Sequence, residues 1–404
     1  YHFYIGTSVR DVIALDYVMT LNANLLVEQL SSKAAPTSLK KRLLADGSYE
    51  ELPQGTANDP NACVFEKMVP GTEEALAPAT RGRGSYLLLN FYKENAHPLI
   101  DVYEGKISLD EFTAQLDNDD LIHLLGGQPN TSVANTYGYG NLPEYGVPNI
   151  MTADGPAGLR ITPQCEVCTT AWPCATLLAS TWNPALVEQV GTAGAEEVKE
   201  NNIAVWLTPA VNIHRNPLCG RNFEYYSEDP FLSGKMAAAV VRGVQEEGTC
   251  GAVIKHFACN NQEDNRMGVD VHISERALRE IYLRGFEIAV KESAPVAIMT
   301  SYNRVNGVHA ANSRALCTVI AREEWGFDGV LMSDWSTTAP EDGSIPWKCI
   351  EAGNDLIMPG SEKDDADIRQ AYADGRLSEK EIRLCAGTVS YTHLRAHETG
   401  RNLV

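Results

Sequence analysis

Apolar and polar positions alternate with two different spacings along the chain. From about residue 108 onward, short apolar runs of the kind that form buried strands are followed by longer segments with helical, amphipathic spacing. Strands that alternate with helices predict a parallel α/β sheet. The predicted helices span 184–200, 233–247, 274–292 and 316–324. The predicted strands have the sequences NIMTADG, ATLLAS, AVWLTPA, GAVIKHF, PVAIMTSY, GVLMSDW and NDLIMPG.

The number of these units favours a closed sheet. About seven or eight strand–helix units in roughly 280 residues fit a (β/α)8, TIM-like barrel better than an open sheet. An open, doubly wound sheet is the alternative fold. A further helix is predicted over the sequence SLDEFTAQLDNDDLIHLLGG, with Ser108 as N-cap, an acidic first turn and a glycine stop.

The first part of the chain has a different pattern. YHFYIGTS and the run 25–30 predict strands, 40–45 predicts a helix, and Pro, Gly and Asn punctuate 53–71. We interpret 1–105 as the end of a β-sandwich plus a linker, and 106–388 as the barrel. The tail 389–404, VSYTHLRAHETGRNLV, lacks apolar periodicity and resembles translated adapter DNA, so we interpret it as non-native. Because no initiator methionine is present, we expect the native N-terminus to be missing.

Charge and cysteine content narrow the function classes. The formal net charge of −20 disfavours binding to nucleic acid or to anionic membranes and favours a neutral or cationic ligand. No apolar run approaches the roughly 18 residues of a membrane span, so a soluble protein is expected. The ten unevenly spaced cysteines favour reduced thiols in the cytoplasm. Cys165 and Cys168 have CxxC spacing but no second pair, so we predict loop cysteines and no metal or other cofactor.

Polar residues end almost every predicted strand. They are Asp154, Asn212, Lys255 with His256, Tyr302, and Asp334. In a (β/α)8 barrel the carboxyl ends of all strands line one opening, which is where active sites lie. The sequence therefore predicts a site at this end of the sheet.

Asp334 and Trp335 end the run GVLMSDW. An indole face packs against the apolar face of a pyranose while a neighbouring carboxylate meets the anomeric carbon, although a helix N-cap aspartate is the alternative. Lys255 and His256 end GAVIKHF and could donate hydrogen bonds to sugar hydroxyls. A structural ion pair, or a Schiff-base lysine as in barrel aldolases, are the other interpretations of that lysine.

Further polar residues extend the predicted site. Asp154 and Arg160 lie in the tight loop TADGPAGLR, where they could bind a vicinal diol or simply close the turn with a salt bridge. Each of the other candidates has an ordinary structural interpretation when taken alone. They are Arg221, Asn222 and Glu224 in CGRNFEYYSEDP, Arg266 in NNQEDNRM, and Tyr302 in MTSY. Their expected convergence at strand ends favours a binding site.

The motifs DGPAGLR, GRNFEYYSEDP, IKHF, NNQEDNR, MTSYNRVNG and GVLMSDW, in this order, resemble glycoside hydrolase family 3, and within it the β-glucosidases. The resemblance covers residues from about 108 to about 388 and implies a (β/α)8-type barrel. It implies that Asp334 is the nucleophile, that Asp154 binds the outer hydroxyls of the sugar, and that Trp335 borders the sugar. It places Tyr302 near the nucleophile and assigns the rest of the network to Arg160, Arg221, Lys255, His256 and Arg266.

One departure from the family pattern affects the expected mechanism. The loop FACNNQEDNRM lacks the glycine-rich histidine motif of family members that cleave N-acetylglucosaminides. This implies an acid/base glutamate in a separate domain that is missing from this chain. YHFYIGTS resembles the last strand of a fibronectin-like domain, which implies a permuted member. The expected activity is retaining cleavage of terminal β-D-glucosyl residues from a β-glucoside or oligosaccharide, with a β-xylosidase, a non-catalytic carbohydrate-binding remnant and a lysine-dependent aldolase as alternatives.

Overall fold

The computed structural model describes residues 1–8, 10–23, 26–34, 39–44, 46–52 and 92–396. The chain divides into two compact units, Tyr1–Ser31 and Ser32–Val404. The first unit contains a hairpin of two antiparallel strands, β1 (His2–Ser8) and β2 (Asp11–Val18). The strand predicted over YHFYIGTS is therefore confirmed. Its assignment to a fibronectin-like domain stays a prediction.

Two secondary-structure predictions, the strand over 25–30 and the helix over 40–45, are wrong where the structure describes these residues. Residues 26–30 form no strand, and 41–43 form strand β3 (Lys41–Leu43) instead of a helix. β3 pairs antiparallel with β4 (Tyr49–Glu51) because a turn at Asp46 and Gly47 reverses the chain. The Asp46 carboxylate accepts a hydrogen bond from the Ser48 N–H, and Gly47 has a φ of 84°. Residues 25, 45 and the predicted linker 53–71 lie outside the described residues.

The long helix predicted from Ser108 is two helices. After α1 (Ile100–Tyr103), α2 (Leu109–Ala114) begins at the predicted N-cap Ser108, whose side chain forms a capping box with Glu111. A second capping box, between Asp117 and Asp120, begins α3 (Asn118–His123). The Asp117 carboxylate accepts backbone N–H groups at 119 and 120, so it starts a new helix where the pattern predicted continuation.

Seven strands of the described residues form the central sheet. In order across the sheet, they are β14 (Val330–Met332), β11 (Ala297–Thr300), β9 (Gly251–Phe257), β8 (Val205–Trp206), β7 (Val147–Ala153), β6 (Gly138–Leu142) and β5 (Gly127–Gln128). The first five of these run parallel, as predicted, whereas β6 pairs antiparallel with both β7 and β5. A turn of only four residues, from Pro143 to Gly146, joins β6 to β7, and so short a connection permits only antiparallel pairing.

A short backbone segment connects the two ends of this curled sheet. Leu356 forms a parallel bridge with Met332 of β14, and Ile357 forms one with Gly126, next to β5. This segment lies in the run NDLIMPG, which was predicted as a strand and instead supplies isolated bridges. The α/β class is therefore confirmed, with a mixed and curled sheet. A separate small sheet contains β10 (Asp270–Val271), β12 (Arg304–Val305) and β13 (Val308–His309).

Helices follow the strands of the parallel part. The run ATLLAS, predicted as a strand, is helix α4 (Ala175–Ser180), with Leu178 and Ala179 buried and Leu177 exposed. A short apolar run does not distinguish a strand from a buried helix face. The prediction for α5 (Pro184–Glu200) is confirmed at both ends. The other helices are α6 (Pro230–Gln245), α7 (Glu275–Ala277), α8 (Arg284–Ser293), α9 (Pro346–Ala352), α10 (Glu362–Ala373) and α11 (Glu379–Ala396), with π-helical segments at Leu278–Tyr282 and Ala315–Glu324.

Helix α11 includes the described part of the tail that was interpreted as non-native. Val389 and Leu394 are buried, and the His393 ring packs edge-on against Tyr139. The origin of this tail stays a prediction. None of the helices in the described ranges is both long and apolar enough to cross a membrane.

A buried ion pair between Arg322 and Asp355 holds β14 in place. Asp355 accepts hydrogen bonds from Arg322 at 2.5 Å and from the backbone N–H of Leu331 at 2.8 Å. Burial raises the pKa of Asp355 to about 6, although Arg322 opposes the change. The pair therefore ties the middle of β14 to the segment that bridges the two ends of the sheet.

Candidate active site

Asp334 lies just after the carboxyl end of β14 and is 7 % exposed. Its Oδ1 accepts a hydrogen bond of 2.7 Å from the backbone N–H of Trp335, whereas its buried Oδ2 has no hydrogen-bond partner among the described residues. Burial raises the pKa of Asp334, and the Trp335 N–H, the nearby Arg221 and Lys255, and the Tyr302 hydroxyl partly counteract this. The site thus contains a buried carboxylate oxygen that lies near the Tyr302 hydroxyl and has no donor at full hydrogen-bond distance among the described residues.

Asp154, directly after β7, has the opposite environment. Its Oδ1 accepts from Lys255 Nζ at 2.5 Å, and its Oδ2 accepts from Arg160 at 2.9 Å. Burial alone would raise the pKa of Asp154, but Lys255 and Arg160 outweigh that effect and lower it to about 2. The salt bridge that was an alternative interpretation of this loop is present. The Arg160 side chain is 57 % exposed, so it lies at the solvent-facing edge of this cluster.

His256 lies on β9 next to Lys255 and is fully buried. Its Nε2 is 3.8 Å from Asp334 Oδ2, and its Nδ1 is 3.2 Å from the Tyr225 hydroxyl. The backbone N–H and C=O of His256 both bond the Asn212 side-chain amide. Burial holds the pKa of His256 well below its usual value, and the cations Arg221, Lys255 and Arg266 lower it further. The imidazole is therefore neutral.

The two predicted loop arginines, Arg221 and Arg266, each form an ion pair with a nearby glutamate. Arg221 makes a bidentate pair with Glu224, which is 3 % exposed. Arg266 donates a bond of 2.9 Å to Glu263, and its guanidinium stacks over the Tyr302 ring at 4.4 Å from the centroid. Burial, and then the Asp334 charge, raise the pKa of Tyr302. Tyr302 therefore remains protonated and can donate a hydrogen bond.

Trp335 forms an aromatic wall with a residue that sequence reasoning did not single out. Its indole and the Tyr137 ring meet edge to face, with centroids 5.3 Å apart. Tyr137 is 37 % exposed and precedes β6. Together the two rings present apolar surface next to the Asp334 backbone.

The structure brings most of the sequence-predicted residues into three groups, whereas Arg221 bonds Glu224 instead of another predicted site residue. Asp154, Arg160 and Lys255 form one cluster, His256 adjoins Asp334, and Arg266 stacks on Tyr302. Sequence reasoning named Glu224 beside Arg221 without assigning it a role, and it missed Glu263. Each glutamate lies three positions from its arginine, a spacing that could have identified both ion pairs. Tyr225 and Asn260 had no comparable signal. Within the described ranges, no three His, Cys, Asp or Glu side chains form a group that could hold a metal ion.

Comparison with known proteins identifies the family. Residues 140–389 match the glycosyl hydrolase family 3 N terminal domain. The chain belongs to glycosyl hydrolase family 3. It is 54 % identical over 364 residues to Beta-glucosidase A of Butyrivibrio fibrisolvens, an alignment that covers 89 % of this chain and 43 % of that protein.

Solved structures of the family agree. The β-glucosidase from Paenibacillus barengoltzii has a TM-score of 0.78 and 36 % identity, over 100 % of this chain and 45 % of the other. β-Glucosidase 3B from Thermotoga neapolitana, solved in complex with glucose, has a TM-score of 0.67 and 46 % identity, over 71 % of this chain and 42 % of the other. This family 3 chain therefore spans less than half the length of the relatives that it matches.

Proposed function

We propose that this chain carries the sugar-binding, nucleophile-bearing part of a retaining β-glucosidase, which cleaves terminal non-reducing β-D-glucosyl residues. The observation that carries the proposal is the state of Asp334. One of its oxygens is buried, accepts no hydrogen bond among the described residues, and faces neutral and cationic groups. Such a carboxylate is arranged to attack an electrophile rather than to hold a loop.

In the first step, Asp334 Oδ2 forms a bond to the anomeric carbon as the bond to the leaving oxygen breaks. The departing oxygen takes up a proton from the acid/base, or leaves as a stable anion when the leaving group is activated. In the second step, water attacks the anomeric carbon, gives one proton to the acid/base or to solvent, and releases the Asp334 carboxylate. Arg221 and Lys255 favour the ionised carboxylate that the first step requires.

The remaining residues bind the sugar. The Asp154 carboxylate is ionised and can accept hydrogens from two neighbouring hydroxyls, while Lys255 and Arg160 supply donors beside it. Arg221, His256, Arg266 and Tyr302 complete the polar surface around the nucleophile. Trp335 offers its ring to the apolar face of the pyranose. The aspartate cluster suits a sugar with a full 6-hydroxymethyl group and so favours glucose over xylose.

A retaining enzyme also needs an acid/base carboxyl about 5 Å from the nucleophile. The other carboxylates of the described site already form ion pairs with lysine or arginine. They are Asp154, Glu224 and Glu263. We therefore propose that the acid/base is a glutamate outside the described residues of the site. General acid catalysis contributes roughly 10²–10⁴-fold, so slow turnover is expected wherever that glutamate is missing, and activated leaving groups are expected to suffer least.

Two architectural assignments belong to this proposal. The bridges at Leu356 and Ile357, which link both ends of the curled sheet, support a (β/α)8-type barrel. The β1–β2 hairpin is assigned to the end of a fibronectin-like domain in a permuted family member.

Nine cysteines that form no disulfide among the described residues support a reducing, cytoplasmic compartment.

The test is covalent trapping with a 2-deoxy-2-fluoro-β-glucosyl donor that has an activated leaving group, read by intact mass and peptide mapping. One added glycosyl mass on the peptide that contains Asp334 is expected. Labelling of another residue would refute the nucleophile assignment. No label on folded protein would favour a carbohydrate-binding remnant, and faster labelling by the xylosyl analogue would favour a β-xylosidase. Borohydride trapping at Lys255 with a carbonyl substrate would favour the aldolase.

A further inference from the structure

A chain of hydrogen bonds leads from Glu263 to the side of the His256 ring that faces away from Asp334. Asn260 Nδ2 lies 3.3 Å from Glu263 Oε1 and 3.1 Å from the Tyr225 hydroxyl oxygen. The Tyr225 hydroxyl in turn lies 3.2 Å from His256 Nδ1. Asn260, Tyr225 and His256 are each at most 1 % exposed. The bonds among these three residues are therefore shielded from competition by water, whereas the bond to Glu263 is part-buried.

The direction of each bond follows from the groups involved. A carboxylate only accepts, so Glu263 requires Asn260 to turn its amide nitrogen toward it. The same nitrogen donates to the Tyr225 oxygen. The buried Tyr225 hydroxyl then needs an acceptor for its own hydrogen, and His256 Nδ1 is the acceptor in reach among the described residues. Nδ1 therefore carries a lone pair, and the ring proton is on Nε2.

We propose that Tyr225 is a positioning residue, which fixes His256 in the Nε2–H tautomer so that an N–H group faces the nucleophile. The role of Asp334 in this inference rests on the proposed function. His256 Nε2 lies 3.8 Å from Asp334 Oδ2. Because burial and nearby cations keep the pKa of His256 well below its usual value, the ring has one proton, and its location matters.

The tautomer has a direct chemical consequence. An N–H directed at Oδ2, or at a sugar hydroxyl between the two groups, stabilises the ionised carboxylate that attacks the anomeric carbon. The other tautomer would direct a lone pair at a carboxylate lone pair. Losing one oriented hydrogen bond of this kind slows the step by about threefold to tenfold. Tyr225 touches no reacting atom and acts only through His256.

The first experiment reads the tautomer without any substrate. The chain is labelled with ¹⁵N-histidine, and long-range ¹H–¹⁵N correlation spectra identify which ring nitrogen is protonated, with His256→Gln used to assign the signals. We expect Nε2–H in the unmodified chain and a mixture of tautomers in Tyr225→Phe. A signal from Nδ1–H in the unmodified chain would overturn the proposal, whatever the outcome of glycosyl labelling.

The second experiment measures the rate of glycosyl labelling. Tyr225→Phe is expected to label about threefold to tenfold more slowly. Tyr226→Phe, which removes a neighbouring buried hydroxyl outside this chain of bonds, is expected to label like the unmodified chain. Equal rates for the two variants would contradict the inference. If the unmodified chain does not label at all, the proposed function fails, and the spectra still decide the tautomer.

Asn260→Asp keeps the shape and reverses the bond to Tyr225, so it serves if Tyr225→Phe is unstable. Because Glu263 lies 3.3 Å away, the two carboxyl groups share one proton, and the new side chain donates to Glu263. It then accepts from the Tyr225 hydroxyl, whose oxygen is free to accept from His256 Nδ1–H. We expect the Nδ1–H tautomer and slower labelling in this variant. Retention of Nε2–H in folded Asn260→Asp would overturn the proposed relay.

Discussion

The ends of β7 and β14 carry the same residue type in opposite environments. Asp154 follows β7 and has both oxygens bonded by cations, which lower its pKa to about 2. Asp334 follows β14, and its Oδ2 accepts no bond among the described residues, while burial raises its pKa. Position at a strand end therefore does not assign a role by itself. The surrounding charges separate a carboxylate that is ionised at neutral pH by its cationic partners from a buried carboxylate with a raised pKa.

The sharpest test of this difference removes the Asp334 carboxylate. Asp334→Asn is expected to abolish glycosyl labelling, because the other described carboxylates of the site already form ion pairs. The measurement is intact mass after incubation with the fluoroglucosyl donor. Asp328→Asn is the matched control, since Asp328 is an exposed aspartate near the opposite end of the same strand. Labelling of Asp334→Asn at the rate of the control would break the assignment.

Asp154 is expected to affect stability more than any other single carboxylate of the site. Asp154→Asn leaves the 3 %-exposed Lys255 ammonium without its partner, so the free energy of unfolding is expected to fall by about 3–5 kcal/mol. Urea denaturation measures this change. Arg160→Met removes the exposed partner instead and is expected to cost at most about 1 kcal/mol. Equal effects of the two variants would mean that the buried pair is not the stabilising one.

Acid should weaken the ion pairs of Asp154 in a defined pH range. The pKa of Asp154 is lowered from 3.8 to about 2, so its contribution is fully present above about pH 4. That contribution, roughly 2 kcal/mol, is lost as the pH falls toward about 2. The check compares urea midpoints of the unmodified chain and Asp154→Asn at successive pH values. The difference between them is expected to shrink with acid, and a constant difference would contradict the lowered pKa.

The smallest expected effect has the opposite sign. Because burial raises the pKa of Asp334, its charged form opposes folding at neutral pH. Asp334→Asn removes that charge and should increase the free energy of unfolding, by less than Asp154→Asn decreases it. Thermal unfolding of the same protein used for labelling measures it. A decrease comparable to that of Asp154→Asn would show that Asp334 is held as a structural ion pair.

The sequence predicted the parts of the molecule that depend on local pattern and on strand order. Helix α5 was correct at both ends because Asn183 caps it and Pro184 starts it. The site residues at strand ends came together because parallel strands place their carboxyl ends along one side. The strand prediction for ATLLAS failed because both structures bury such a run.

Other features depend on contacts that no spacing reveals. Asn260 and Glu263 lie in the loop after β9, and Tyr225 lies in the loop before α6, so only the folded chain places them behind His256. The antiparallel pairing of β6 and β7 follows from the short turn at Pro143–Tyr145, whose length the strand pattern did not capture. Sequence therefore identified the polar residues at the strand ends better than the residues that contact them from neighbouring loops.

The bridges at Leu356 and Ile357 also affect how the chain meets other copies of itself. An unpaired terminal strand offers a row of N–H and C=O groups on which another molecule can add a strand. Here the backbone of one segment contacts β14 on one side and Gly126 on the other. The outermost strands of the central sheet are thereby partly occupied from within the same molecule. Substitution of Leu356 by proline would remove the N–H that bonds Leu331 and expose such an edge to intermolecular strand pairing.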